Sequence, residues 1–305
     1  MHRAVERKTA VSGRRLSIRG SLLYLIFYRL VKYIVDSILP SRHKIDLPNI
    51  PCFSDRIVYN NAMTSIQNVA EYYDELYPVT AEQKDFYARI GKNYPAPVRF
   101  LQIGCGTGSL EHVLVKDGAD VTGLEVSKDL IEIATLRRRT QLMPIRFFQL
   151  STLDMTRFLG KNFYNVISCL NSRIAFIKDK TLLKKFFSDC KALLSEGGTL
   201  VLHLYNFSTV LKSGTTALPC RSSIRVKLSS SISAGKDDRF FLNQTLETGN
   251  GTILPVMQNE ELYPLVKDEI ILFAREAGFT DFSFYGSYGM DEFNEADSEL
   301  VCLIR

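Results

Sequence analysis

Three glycines at alternate positions, Gly104, Gly106 and Gly108, interrupt the stretch FLQIGCGTGSLEHVL over residues 100–114. Glycine lets a backbone take positive φ and come close to a bound molecule. An apolar run enters this turn and a helix-like pattern leaves it. The first amides of that helix would point at whatever the turn holds. Twenty-one residues beyond Gly104, the run DVTGLEV (120–126) carries Glu125 near its end. An acid there accepts hydrogen bonds from ribose hydroxyls. The pair points to a nucleotide-like ligand with an adenosine-type ribose. The spacing is GxGxG, and Ser109 stands where dinucleotide-binding turns place their third glycine. That disfavours a nicotinamide cofactor and hence an oxidoreductase.

Groups able to move protons are few. The chain has four histidines, His2, His43, His112 and His203. His112 falls in the helix after the glycine turn and is expected on its outer face. His203 lies in the apolar run GTLVLHLY (198–205), near the edge where open α/β sheets bind ligands. It suits a satisfied core histidine as well as a base. Tyr205 and Asn206 close the same run. Arg173 could hold a carboxylate on a substrate or simply start a surface helix. Six cysteines are scattered with no CxxC pair and no zinc-like spacing. They read as free thiols of a reducing, cytoplasmic protein, and no metal site is expected.

These residues need a scaffold, and the chain supplies an alternating one. Strands are expected at 98–103, 120–126, 145–150, 164–170 and 198–205, with helices at 82–90, 128–139 and 180–194. This rhythm predicts a doubly wound, Rossmann-like, mostly parallel sheet. The rhythm stops after Asn206. Residues 207–262 alternate loosely around Gly235, Gly249, Gly251 and Pro255 and read as a small antiparallel β insertion. A helix at 265–277, ended by Gly278, precedes two last strands, 282–285 and 300–304.

The net charge of +5 is unevenly placed. Residues 1–50 carry ten Lys/Arg against three acids, a net of +7, which leaves −2 for the rest. The body is therefore not a basic, nucleic-acid-seeking surface. Within the basic segment, IRGSLLYLIFYRLVKYIVDSIL (18–39) has apolar residues at helical spacing, interrupted by Arg29, Lys32 and Asp36. Its uncharged run is too short to span a bilayer. The readings are a helix packed on the body or on a second subunit, an amphipathic helix on a membrane surface, or a disordered leader. Pro40, Pro48 and Pro51 mark a linker, so residues 1–50 read as an N-terminal extension and 51–305 as the working domain.

From Glu71 to Arg305 the sequence resembles the class I S-adenosylmethionine-dependent methyltransferases. FLQIGCGTG, VTGLEVSKDLIEIA, LSTLDM and LLSEGGTLVL follow one another in the family's order, and YYDELYP and EIILFAREAGFTDFSFYG are similar to its flanking segments. The resemblance implies a seven-stranded sheet with an antiparallel last strand, and S-adenosylmethionine as cofactor. It implies that Gly104, Cys105, Gly106 and Gly108 line the methionine and ribose part, that Glu125 binds the ribose and that Val126 lies on the adenine. Asp154 would read the adenine amino group, with Met155 on the ring. Tyr72 and Tyr77 would cover the cofactor, and Leu170 and Asn171 would mark where donor and acceptor meet. SCLNSRIAFI (168–177) is similar to the small-molecule branch around the glycine/sarcosine N-methyltransferases, and 207–262 would roof a small pocket. Its LNSR differs from the Asn/Asp-Pro-Pro-aromatic motif of nucleic-acid members. The implied activity is methyl transfer to a small N or O nucleophile, with His203, Tyr205 and Arg173 as candidate catalytic groups. The chain departs from the family at Gln102 and Asn165, where members usually carry Asp. Both changes are expected to remove an acid near the site, which keeps a catalytically silent cofactor- or partner-binding module as the alternative.

Overall fold

The computed structural model describes residues 63–141, 144–235 and 239–305, and all of them fall in the unit Asp55–Arg305. The expected basic helix at 18–39 and its linker lie outside the described residues. Among the described residues no helix is long and apolar enough to cross a membrane.

Three helices open this region: α1 (Met63–Ala70), the single turn α2 (Tyr73–Leu76) and α3 (Ala81–Gly91). Helix α3 starts because the Thr80 hydroxyl accepts the Gln83 amide at 3.1 Å, a cap worth about 1 kcal/mol. It buries Phe86, Tyr87 and Ile90 on one face. The alternating body follows as β1 (Arg99–Ile103), α4 (Ser109–Lys116), β2 (Asp120–Glu125), α5 (Lys128–Gln141), β3 (Ile145–Gln149), α6 (Met155–Phe158), β4 (Tyr164–Cys169), α7 (Lys180–Leu193) and β5 (Leu194–Tyr205). Helix α7 is capped by Asp179, which accepts the Leu182 amide at 3.0 Å. It buries Leu183, Phe186, Phe187, Cys190 and Leu193 at helical spacing. Each buried phenylalanine there stabilises the fold by about 2–3 kcal/mol.

The insertion begins differently from the all-strand expectation. Residues Phe207–Ser213 form a helix, α8. The Asn206 side chain caps it by accepting the Ser208 amide at 3.2 Å, Phe207 and Val210 point inward, and Gly214 ends it at a φ of 74°. The strands then follow as β6 (Thr215–Ala217), β7 (Arg221–Ser222), β8 (Val226–Ala234), β9 (Phe240–Thr248) and β10 (Ile253–Leu262). Helix α9 (Lys267–Glu276), β11 (Phe282–Tyr285) and β12 (Glu299–Ile304) close the chain.

The main sheet has seven strands in the order β11-β12-β5-β4-β1-β2-β3. Strand β12 runs antiparallel to both of its neighbours, and the other pairs are parallel. Helices cover both faces, so the strands are apolar on both sides. Alternation sorts the residues: Phe100, Val166, Val201 and Val301 join one core, while Leu101, Ile167, Leu200, Leu202 and Cys302 join the other. The chain order reverses between β1 and β4, which makes the C-terminal ends of these two strands the switch point where such sheets bind ligands. The insertion strands β10-β9-β8-β6 form a second, antiparallel sheet, with β7 paired to β8. Its inner residues Val226, Leu228, Leu246 and Val256 pack with Val69, Tyr73 and Leu76.

Candidate cofactor and acceptor site

The glycine turn is built from the backbone outward. The amides of Gly104 and Cys105 donate to the Leu124 carbonyl at 2.8 and 2.9 Å, which ties the turn to β2. Gly104, Gly106 and Gly108 all have positive φ, 73°, 58° and 78°. A Cβ at Gly106 would lie 2.6 Å from the Tyr73 ring, and one at Gly108 would lie 2.6 Å from Phe147. At the end of β2 the buried Glu125 spends both oxygens on amides. One oxygen accepts from Gly106 at 3.0 Å, and the other accepts from Val126 and Ser127, both at 2.9 Å. It therefore bolts the β1 turn to the β2 turn.

Helix α2 is fastened over this turn by Asp74 of YYDELYP. Asp74 accepts from the hydroxyls of Thr107 and of Ser109 (2.7 Å for the latter) and pairs with Arg137. Arg137 also donates to the Thr107 carbonyl at 3.1 Å. Partial burial pushes the Asp74 carboxyl up, but the two hydroxyls and Arg137 outweigh it and hold it below its ordinary value.

A cleft of roughly 260 Å³ opens at the switch point. One wall is the glycine turn: Gln102, Gly104, Cys105, Thr107, and Glu111 of α4. Tyr73, Tyr77 and the start of α3 close one end, and Leu170 and Asn171 from the top of β4 form the floor. The opposite wall is His203, Arg221, Tyr288 and Glu299. The Asn171 amide donates to His203 Nδ1 at 3.3 Å, so the ring proton sits on Nε2, which donates to Glu299 at 3.1 Å. The other Glu299 oxygen lies 3.8 Å from Arg221, whose guanidinium stacks 4.7 Å above the Tyr77 ring. The His203 hydrogen bond holds the Glu299 carboxyl below its ordinary value, against partial burial and with help from Arg221. Asn171 and Ser172 both have positive φ, 52° and 58°. The reward for that strained pair is local: the Ser172 amide donates to the His203 carbonyl at 2.9 Å, and its hydroxyl accepts the Tyr205 amide at 2.8 Å. The Asn-Ser pair thus locks β4 to β5 beneath the cleft.

The structure brings Tyr77, Gly104, Cys105, Leu170, Asn171 and His203 of the expected residues onto the cleft. Gly106, Gly108 and Glu125 shape its turn from behind. Arg173 lies on the other side of the Gly104 turn. Its Cγ would be 3.0 Å from a Cβ at Gly104, and it donates to the Tyr73 hydroxyl at 3.3 Å beneath the insertion sheet. Tyr205 stands behind Arg221 and Glu299, where burial raises its phenol. Tyr72 lies under the Arg225 guanidinium at 4.7 Å, in the contact between α2 and the insertion. Val126 is exposed, Met155 is fully buried, and Asp154 pairs with Arg157 at 3.0 Å on the surface. His112 is not on an outer face: it is buried, its Nδ1 donates to the Gly108 carbonyl at 2.7 Å, and it stacks near Phe147. Asn165 is not near the cleft either. It sits at the opposite end of β4, accepting from the Arg99 amide at 2.9 Å and donating to Ser195 at 3.1 Å.

Arg221, Glu299 and Glu111 were missed. Glu299 had a readable signal, because the first residue of an antiparallel last strand lands at the C-terminal edge of its parallel neighbours; it pairs with Tyr205. Arg221 had none, since it depends on how the insertion folds back. Glu111 reads as an ordinary first-turn helix acid, yet it is fully buried. Burial pushes its carboxyl up to about 8, opposed by its own amide and aided by Glu125. The Cys105 thiol beside it is raised well above its ordinary value by burial and by Glu111, so it is no nucleophile.

The family description "Methyltransferase domain" matches residues 100–198, the span from β1 into β5. The ubiquinone biosynthesis O-methyltransferase of Coxiella burnetii is 30% identical over 110 residues, which are 35% of this chain and 43% of that protein. Residues 100–198 therefore carry a methyltransferase domain, and the chain is similar to the class I S-adenosylmethionine-dependent methyltransferases. The first curated relatives it matches are spanned over 43–57% of their length. The methyltransferase fold extends further than the sequence match. An S-adenosylmethionine-dependent methyltransferase from Clostridium acetobutylicum superposes with a TM-score of 0.65 over 79% of this chain and 98% of that one, at 16% identity. S-adenosylmethionine-bound CalS10, an amino pentose methyltransferase from Micromonospora echinaspora, superposes at 0.57 over 78% and 96%, at 19% identity. One feature of the cleft suits a cofactor that carries an ammonium group: the buried carboxyl of Glu111, without a hydrogen-bond partner among the described residues, stands in its wall.

Proposed function

We propose that this chain transfers a methyl group from S-adenosylmethionine to a nitrogen or oxygen of a small-molecule acceptor seated in the cleft. The observation that supports this most is the two-sided build at the switch point. The glycine turn forms one wall, and a polar wall of His203, Glu299 and Arg221 faces it across roughly 260 Å³. The paired charges of that wall suit an amine, acid or phenol of modest size. The names of the Coxiella burnetii O-methyltransferase and of the amino pentose methyltransferase are consistent with such an acceptor.

The cofactor would supply a methyl on a sulfonium, an electrophile displaced in line. The residues' share is to align the acceptor and to keep water out. Glu299 is held ionised and, with Arg221, offers paired charges that orient an acceptor with polar groups. His203 holds Glu299 in place through its Nε2 proton and is itself held by the Asn171 amide. Gly104 would face the cofactor, Gly106 and Glu125 would hold the turn that carries it, and Glu125 would accept from the ribose with the acceptor position left on the oxygen that holds Gly106. Tyr77 covers the cleft beneath Arg221. The small-molecule acceptor is the expected partner of this site.

One observation favours a second reading, a module that no longer turns over. The room above the glycine turn is taken by this chain's own Tyr73 ring, with Arg173 against Gly104, and Gln102 brings no charge. Calorimetric titration with S-adenosylmethionine and S-adenosylhomocysteine separates the two, with Glu125→Ala as control. Micromolar binding weakened by that change, followed by methyl incorporation in a screen of small amines, acids and phenols, is the expected result. Absence of binding by the wild-type protein would leave the second reading.

A further inference from the structure

Glu111 occupies a place that ordinary packing does not explain. It is fully buried, and neither carboxyl oxygen has a hydrogen-bond partner among the described residues. Leaving such a group unpaired inside a protein is costly, and it persists where a further partner offsets the cost. The groups acting on it are Tyr87 from α3, Cys105 from the turn, Glu125 from β2 and Arg137 from α5. Tyr87 donates its hydroxyl to Ser168 at 2.9 Å, and Arg137 is engaged with Asp74, Thr107 and Ser109. None of them completes the carboxyl. Glu111 also lines the cleft beside Cys105, on the wall that carries Gln102. What such a carboxyl can take from the cleft is a cation with hydrogens to donate.

We infer that Glu111 is the anionic partner of the α-ammonium group of S-adenosylmethionine, standing in for the charge that Gln102 lacks. This rests on the proposed cofactor site and adds a residue to it. The consequence is a proton balance. Glu111 holds a proton in the free protein, as burial dictates. When the ammonium arrives, the carboxyl becomes a carboxylate, its proton passes to solvent, and the charge pair takes its place.

Calorimetry in two buffers of different ionisation enthalpy at pH 6.5 counts that proton without any turnover. The wild-type protein should release about one proton per cofactor bound. Its affinity should rise by up to about tenfold per pH unit between pH 6 and 7, because less work is then needed to ionise Glu111. S-adenosylhomocysteine keeps the ammonium and lacks the sulfonium, so it should release the same proton. Glu111→Gln, checked by thermal melting to be folded, should bind both compounds about tenfold or more weakly, with no proton release and no pH slope. Binding by the wild-type protein without proton release would overturn the assignment while leaving the cofactor reading intact. Release with S-adenosylmethionine alone would place the partner at the sulfonium and overturn it too. No binding of either compound would overturn it together with the cofactor reading.

Discussion

The two walls of the cleft are made in different ways. The glycine-turn wall is one continuous segment, Gln102 to Glu111, held by backbone amides and by the Glu125 carboxylate, 19 residues beyond the Gly106 amide it accepts. The opposite wall is assembled by side chains from three distant pieces: His203 on β5, Arg221 on the insertion and Glu299 on the last strand. The first wall has little freedom, because its conformation is written into glycine φ angles. The second can change by exchanging one side chain. A site made this way can keep its cofactor while its acceptor varies.

The most damaging change should be on the rigid wall. Gly106→Ala places a methyl where the Tyr73 ring already lies, on a residue with φ of 58°. Overpacking and left-handed strain together should cost about 3–4 kcal/mol. Gly118→Ala is the control: its φ is 90°, nothing lies within 4 Å, and only the strain applies, about 1 kcal/mol. Chemical denaturation of both measures the difference. Equal losses would mean that Tyr73 yields freely and that the wall is softer than its contacts indicate.

Next comes the wall's pH response. Glu111 has a folded value of about 8 against an ordinary 4.5. The folded state thus keeps a proton that the unfolded chain releases. The stability this group contributes is complete below about pH 4.5 and falls as pH rises towards 8, by at most about 1.4 kcal/mol per unit. Between pH 6 and 7.5 the loss should be about 2 kcal/mol. Glu111→Gln should flatten that part of the profile. An unchanged slope in the variant would assign it to other groups.

The assembled wall should answer in acceptor terms instead. Glu299→Gln keeps the shape and removes the charge that His203 and Arg221 share. With an acceptor in hand, kcat/KM should fall about tenfold, roughly 1.4 kcal/mol, while calorimetric cofactor affinity stays within about twofold. A parallel loss of cofactor binding would erase the distinction between the walls.

That distinction also governs what could be read from residues alone. Gly104, Gly106, Gly108 and Glu125 were legible because a turn and the next strand end are short-range features with fixed spacing. The sheet was legible for the same reason: each βα unit announces itself locally. Arg221 depends on a fold-back of the insertion, which leaves no spacing in the sequence, and Glu299 could be reached only through the antiparallel return of the last strand. The helix α8 hid inside a stretch whose loose alternation suited strands, although Asn206 and Gly214 bracket it. The burial of His112 and Glu111 turned on which side of α4 faces the sheet, and the apolar residues Leu110, Val113, Leu114 and Val115 of this short helix do not single out the side on which those two lie.

Asn165 is the sharpest instance of position overruling type. An acid replaced by an amide in a strand of this family looks like a loss at the site. In the structure the amide stands at the end of β4 opposite the cleft, accepting from the Arg99 amide and donating to Ser195. An aspartate could keep the first bond, and the Ser195 hydroxyl could turn round to donate to its second oxygen. The nearby Arg99 guanidinium, 3.5 Å from the present oxygen, would favour the new charge. Asn165→Asp should therefore change stability by less than about 1 kcal/mol and leave cofactor affinity unaltered in calorimetry. If the acid instead tightened cofactor binding, the two ends of β4 would be coupled, and the departure at Asn165 would belong to the site after all.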